Sequence, residues 1–162
     1  MALTQIIGSG ISGVTVGNFI TEVDQFRLTA NLTDSGSVYI TSNLERVDNA
    51  AFSKIGTGMS ESSGTFTFPS TGLYRIGVVA HLYIPDSNDG AVGVDTYFSD
   101  DNFSSTQQLA TAWAGDNDGS GQWYGTHSSE CFVNITNAST MKIRFASNSS
   151  SDSTIIGSTS IN

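Results

Sequence analysis

Cysteine occurs once in this chain, histidine twice, and lysine and arginine six times together. Each scarcity removes a class of function. With Cys131 alone, no internal disulfide can form. It sits in the strand-like run from Glu130 to Ile135, with no base or cationic cluster near it in sequence. It therefore reads as a small buried apolar residue and not as a reactive thiol. A zinc site needs three or four Cys or His ligands, and His81, His127 and Cys131 are the whole supply. His127 and Cys131 lie four residues apart, on one face of a strand but too far apart to chelate together. The basic residues Arg27, Arg46, Lys54, Arg75, Lys142 and Arg144 are scattered. No stripe exists to neutralise a phosphate backbone, so no nucleic-acid partner is expected. The net charge of −9 serves solubility. The opening Met1-Ala-Leu-Thr-Gln-Ile-Ile-Gly has neither a basic leader region nor an unbroken apolar span. Neither a membrane segment nor a secretory leader is expected, and folding in a cytoplasm is.

Catalytic patterns are equally thin. No Gly-x-Ser-x-Gly elbow is present, and Gly8-Ser-Gly10 does not match it. A carboxylate pair for glycoside hydrolysis would need an aromatic cleft. Glu130 is better placed for an ion pair across a hairpin to Lys142 or Arg144. The expectation is a non-enzyme with no cofactor. Acidic loops at Asp86, Asp89, Asp116 and Asp118 are weak calcium candidates, since hard cations take oxygen ligands. None has an EF-hand's spacing, and such loops serve equally well as plain turns.

What the chain has in quantity is Ser, Thr, Asn, Gly and scattered aromatics. Charged residues are only 13%, and no window keeps a capped 3.6-residue period. That composition predicts many short strands and polar turns, hence an all-β domain. At 162 residues there is room for one such domain, placed at 25–162, and an arm over 1–24. Phe26, Leu28, Ala30 and Leu32 alternate as a first long strand. Leu73 to Ile84 is the longest, with Tyr74, Ile76, Val78, Ala80, Leu82 and Ile84 on one face. His81, Val79 and Tyr83 then fall on the other face. Pro85 to Gly90 turns it toward a partner strand through Val92, Val94, Thr96 and Phe98. Gln107 to Trp113 forms a further strand. Ser128 to Ile135 and Met141 to Phe145 are expected as a hairpin across Thr136 to Ser139. Ile155, Ile156 and Ile161 make a weak closing strand; without it an edge stays open for a partner.

The densest pattern is Gly64-Thr-Phe66-Thr-Phe68-Pro69-Ser-Thr-Gly72-Leu-Tyr74-Arg-Ile76. Phe66 and Phe68 alternate toward one face. Pro69 cannot join a sheet ladder and Gly72 accepts unusual φ, so the chain must turn between two strands. These residues resemble the signature of C1q-like domains, relatives of tumour necrosis factor. The resemblance is strong within Gly64 to Ile84 and weaker from Phe26 to Phe145. It implies a jelly-roll β-sandwich that assembles as a homotrimer, with Phe52 as the counterpart of an upstream core phenylalanine.

Two segments bear on partners. Ile6, Ile7, Ile11, Val14, Val16, Phe19 and Ile20 are too apolar for a solvated linker and too glycine-broken for a core. They read as a docking arm, with an extra edge strand as the alternative. Trp113, Trp123 and Tyr124 flank a polar loop; they are either trimer or core contacts, or a surface for a glycan or receptor. Lone cysteine, missing leader and Ser/Thr/Gly-rich loops together resemble virion proteins of marine bacteriophages. That resemblance implies a capsid decoration or cement protein docked on the major capsid protein or another virion protein. A fibre-tip adhesin is the alternative, and a bacterial C1q-like surface protein a weaker third.

Overall fold

In a computed structural model of the chain, the residues described are 20–85, 90–115, 121–150 and 153–159. Among these there is no helix, hence none long and apolar enough to cross a membrane. Two antiparallel sheets face each other. The first runs in the order β10 (Trp123–Ile135), β7 (Gly72–Ile84), β12 (Thr154–Ile155), β2 (Leu32–Thr33). The second runs β5 (Ser60–Ser62), β6 (Thr65–Thr67), β11 (Lys142–Ser149), β8 (Ala91–Ser99), β9 (Gln107–Gly115), and β3 (Gly36–Tyr39) also pairs with β11. A short ladder of β1 (Phe26–Leu28) with β4 (Leu44–Arg46) packs beside them. Apart from the β5–β6 and β8–β9 pairs, the connections from β6 onward swap sheets, as in a jelly roll.

The signature residues occupy one end of the sandwich. Phe66, Phe68, Ile76, Val133, Ile135 and Ile143 form a buried cluster, with Tyr74 and Phe26 packed on it. Aromatic edges lock it: Phe26 and Phe66 centroids stand 5.0 Å apart, Phe66 and Phe145 5.4 Å. A second cluster, of Ala80, Leu82, Ile84, Val92, Val94, Ala112, Ala114 and Ile155 among others, fills the other end. The six alternating residues of β7 thus face inward as expected. Gly64 has φ +80, and a Cβ there would lie 2.2 Å from the Ile40 carbonyl oxygen. With Ser63 at φ 49, it forms the two-residue turn joining β5 to β6, the mirror-image turn that such hairpins favour. Pro69 lies between β6 in one sheet and β7 in the other, so the break that the sequence demands is a change of sheet. The Tyr74 hydroxyl braces this corner by donating to the Ser70 carbonyl at 2.9 Å.

Several local expectations are corrected. β7 and β8 are not hairpin partners across the Pro85 turn, because they lie in opposite sheets. β7 pairs with β10 over its whole length, from Gly72↔Ile135 to Ile84↔Trp123. For the same reason β10 and β11 form no hairpin, and Glu130 does not meet Lys142 or Arg144. Glu130 instead accepts from Arg75 on β7, Nε to Oε2 at 2.9 Å. Lys142 donates to Thr67 Oγ1 at 3.1 Å, and Arg144 Nε to Thr65 Oγ1 at 2.9 Å. The first long strand is broken: β1 stops at Leu28, Ala30 is exposed, and β2 starts at Leu32. The C-terminal tail crosses at this gap, with Gly157 so close that a Cβ would lie 2.3 Å from the Ala30 oxygen. Phe52 is half-buried and belongs to neither core cluster. The closing strand does form: Ile155 pairs with Leu82 on one side and Leu32 on the other, and is 5% exposed. Ile156 follows it, its N–H donating to the His81 carbonyl at 2.8 Å; Ile161 lies outside the described residues.

Candidate functional site

The outward face of the β2-β12-β7-β10 sheet is built by the period of two that buries the other face. Each β7 residue opposite the core pairs with one on β10: Tyr83 with Tyr124, His81 with Thr126, Val79 with Ser128, Gly77 with Glu130, Arg75 with Phe132, Leu73 with Asn134. Leu73, Val79, Tyr124 and Phe132 are 72%, 68%, 62% and 64% exposed. Large apolar side chains at such exposure, repeated along two neighbouring strands, are an unpartnered face and not scattered surface residues. The face is pre-organised. The Tyr83 and Tyr124 rings lie 4.7 Å apart, the Thr126 hydroxyl and His81 Nδ1 are hydrogen-bonded at 2.9 Å, and Arg75–Glu130 is an exposed ion pair. His81 therefore sits at mid-face, half-buried, as its odd position in β7 required.

The three aromatics that sequence spacing grouped are separated by the fold. Tyr124 belongs to this outward face. Trp123, one residue earlier, points the other way and packs on the core cluster with Ile84 and Leu82. Its ring lies 5.7 Å from that of His127, on the same inward side of β10. Trp113 stands on the outward face of the opposite sheet and is 51% exposed. Cys131 also faces inward, at the edge of the signature cluster, and desolvation raises its thiol pKa. Among the described residues, no three His, Cys, Asp or Glu side chains are grouped to hold a metal ion. The calcium candidates Asp86, Asp89, Asp116 and Asp118 lie outside the described residues. Asp101 is engaged locally: it accepts from the Ser105 N–H at 2.9 Å, the Ser105 hydroxyl at 2.7 Å and the Ser99 hydroxyl at 2.8 Å. The Ser105 backbone bond is the largest of the causes that lower its pKa.

Of the arm residues, Ile6, Ile7, Ile11, Val14, Val16 and Phe19 lie outside the described residues; Ile20 is 75% exposed. The root of the arm is tightly held. Glu22 accepts from the N–H groups of Thr57 (3.2 Å) and Gly58 (2.8 Å). Asp24 takes both Nε and Nη2 of Arg46 at 2.9 Å and the Met59 N–H at 2.8 Å. That carboxylate, hydrogen-bonded to the guanidinium, raises the Arg46 pKa above its already high value. Val23 bridges to Ile55. These carboxylates were missed by sequence reading; their partners lie 22 to 36 residues away, and no local pattern marks them. An open groove of about 470 Å³ runs beside this root, lined by Phe26, Leu44, Arg46, Met59 and Glu61 among others.

No protein-family model matches the sequence, and no curated protein matches it. Solved structures do match. A tumour necrosis factor, Eiger, from S. frugiperda superposes with a TM-score of 0.56 at 8% identity, over 85% of this chain and 93% of the other. Murine APRIL superposes with a TM-score of 0.52 at 12% identity in a crystal structure at pH 8.5, over 85% of this chain and 98% of the other. Its structure at pH 5.0 gives 0.51 at 10% identity, over 82% and 98%. Identities this low speak for architecture alone, and that architecture is the tumour-necrosis-factor-like jelly roll.

Proposed function

We propose that this chain is a non-enzymatic structural subunit that works as a homotrimer and decorates a virion. Protomers join through the outward face of the β2-β12-β7-β10 sheet. Residues 1–24 serve as the arm that docks on the major capsid protein or another virion protein. The observation that carries the assembly reading is the exposed row of Leu73, Val79, Tyr124 and Phe132 on two rigidly paired strands. Covering such a face is favourable at about 25 cal/mol per Å² of apolar surface. An Arg75–Glu130 pair among apolar residues suits an interface between copies, where charges fix register more than affinity.

The virion role is supported by the sequence resemblance and by the held root of the arm. Glu22 and Asp24 fasten the chain at the Gly56–Met59 loop, so an arm leaving there has a fixed point of departure. Synthesis in a host cytoplasm accords with the single cysteine. Light scattering of the free protein at micromolar concentration tests the first half; a monomer refutes it. Removal of residues 1–20 tests the second. The truncated protein should remain trimeric and no longer bind particles, and retained particle binding refutes the arm.

A further inference from the structure

Trp113 is the one exposed tryptophan among the described residues, and its setting is unlike that of the other exposed apolar side chains. It stands on β9, whose alternate residues Ala112 and Ala114 are buried in the core. Its cross-strand neighbour on β8 is Gly93, and Gly93 in turn faces Asn148 on β11, which faces Ser37 on β3. The outward row therefore reads Ser37, Asn148, Gly93, Trp113 across four strands, each about 4.8 Å from the next. The indole leans into the space that Gly93 leaves. A Cβ on Gly93 would lie 2.8 Å from Trp113 Cδ1, and one on Gly115 would lie 3.3 Å from Cη2. The ring is bedded on two glycines, and the residue remains 51% exposed.

The polar half of the row is held just as firmly. Asn148 donates from Nδ2 to Asp95 Oδ2 at 3.1 Å. That bond turns the acceptor oxygen of the exposed Asn148 amide away from Asp95. Asp95 lies two residues along β8 from Gly93, is only 1% exposed, and its Oδ1 has no hydrogen-bond partner among the described residues. A buried carboxylate with one bare oxygen is costly unless something answers its charge. Here it stands on the same side of β8 as Gly93, between Ala146 and Thr111, and its charge favours hydrogen-bond donors at the neighbouring Asn148.

We infer that Trp113, Gly93, Asn148 and Asp95 form a binding platform for a neutral pyranose sugar. The sugar's apolar C–H face stacks on the exposed indole, as aromatic faces prefer weakly positive edges. Its hydroxyls donate to the Asn148 carbonyl oxygen beside the Asp95 charge, and Ser37 closes the row. Asp95 is a positioning residue in this arrangement. Neutrality follows from the cations. Arg144 is committed to Thr65 and stacked 4.1 Å from the Phe103 centroid, and Lys142 is committed to Thr67. The chain's net charge of −9 further disfavours acidic sugars and phosphates. An apolar protein partner fits poorly, because this single ring shares its face with the polar Thr111 and Asn148, and with Ser37 at the far end of the row. The platform lies on the sheet opposite the assembly face, so it stands or falls independently of the trimer.

The test is a glycan array of neutral and sialylated sugars, followed by nuclear magnetic resonance titration of the intact protein with the best neutral binder. The expected result is a saturable shift of the Trp113 indole N–H resonance, with that of Trp123 unmoved. Trp113→Ala should weaken binding about tenfold or more, and Trp113→Phe should restore part of it. Asn148→Ala should weaken it about fivefold, the worth of one net hydrogen bond. Trp113→Phe should keep the parent melting temperature; Asn148→Ala, which strips the buried Asp95 of its hydrogen bond, should lower it, so its binding is measured well below its own melting point. Absence of any neutral binder, binding only by sialylated glycans, or binding that survives Trp113→Ala would each overturn the proposal.

Discussion

Val79→Glu is the sharpest probe of the proposed assembly, because the same residue has different surroundings in the protomer and in the trimer. In the protomer Val79 is 68% exposed and lies opposite Ser128. A glutamate there meets water and should alter protomer stability by no more than about 0.5 kcal/mol. In the trimer the same position is covered. Covering the exposed two-thirds of a valine contributes about 1 kcal/mol, which the substitution forfeits. Desolvating an unpaired carboxylate costs at least a further ~2 kcal/mol after relaxation. At about 3 kcal/mol per protomer, three protomers lose ~9 kcal/mol, or about six orders of magnitude in the trimer dissociation constant. Light scattering should then report the 17.1 kDa protomer where the parent is threefold heavier, with an unchanged far-ultraviolet dichroism spectrum. Phe132→Glu, 64% exposed on the neighbouring strand, should behave alike. A parent trimer that both variants leave intact would place the interface elsewhere and refute the reasoning. Loss of folded signal would show that the face is needed within the protomer itself.

Three further outcomes follow from the geometry. Asp24→Ala removes both bonds to Arg46 and the acceptor for Met59 N–H. It should destabilise the fold by about 3 kcal/mol and lower the melting temperature by about 6–12 °C; an unchanged melting curve would mean that the clamp contributes nothing. Gly64→Ala forces a side chain into φ +80 and against the Ile40 carbonyl, costing about 2–4 kcal/mol in urea unfolding, and a neutral result would deny the turn. The Asp101 pKa is lowered by its hydrogen bonds, so their contribution is complete above the ordinary carboxylate range and fades as pH falls through the lowered value. The Ser105 amide resonance should therefore shift only at acid pH, and Asp101→Asn should abolish that titration. A Ser105 amide that titrates at or above the ordinary carboxylate range would contradict the assigned bonds.

The face of each strand was legible in the sequence, because side-chain direction follows from a period of two and needs no knowledge of a partner. The β7 alternation, the inward Phe66 and Phe68, the outward Val79 and Tyr83, and the break at Pro69 all follow from local chemistry. So does the all-β class, which expresses composition and turn residues. Partner choice was not legible. Short connections favour neighbours in sequence, and that rule predicted hairpins for β7 with β8 and β10 with β11. In a closed sandwich each of those links crosses to the other sheet, because both apolar faces must meet across one core. Glu130 then meets Arg75, 55 residues away, and not the Lys142 and Arg144 that follow it. The same closure sends Trp113 and Tyr124 to the outer faces of opposite sheets and Trp123 inward to the core, although they lie within twelve residues of chain. It also gathers Ser37, Asn148, Gly93 and Trp113 from four strands into one row, with Asp95 beside it. Sequence alone determined which side of a strand each residue occupies; only the tertiary structure, through contacts between distant segments, decided what stands beside it.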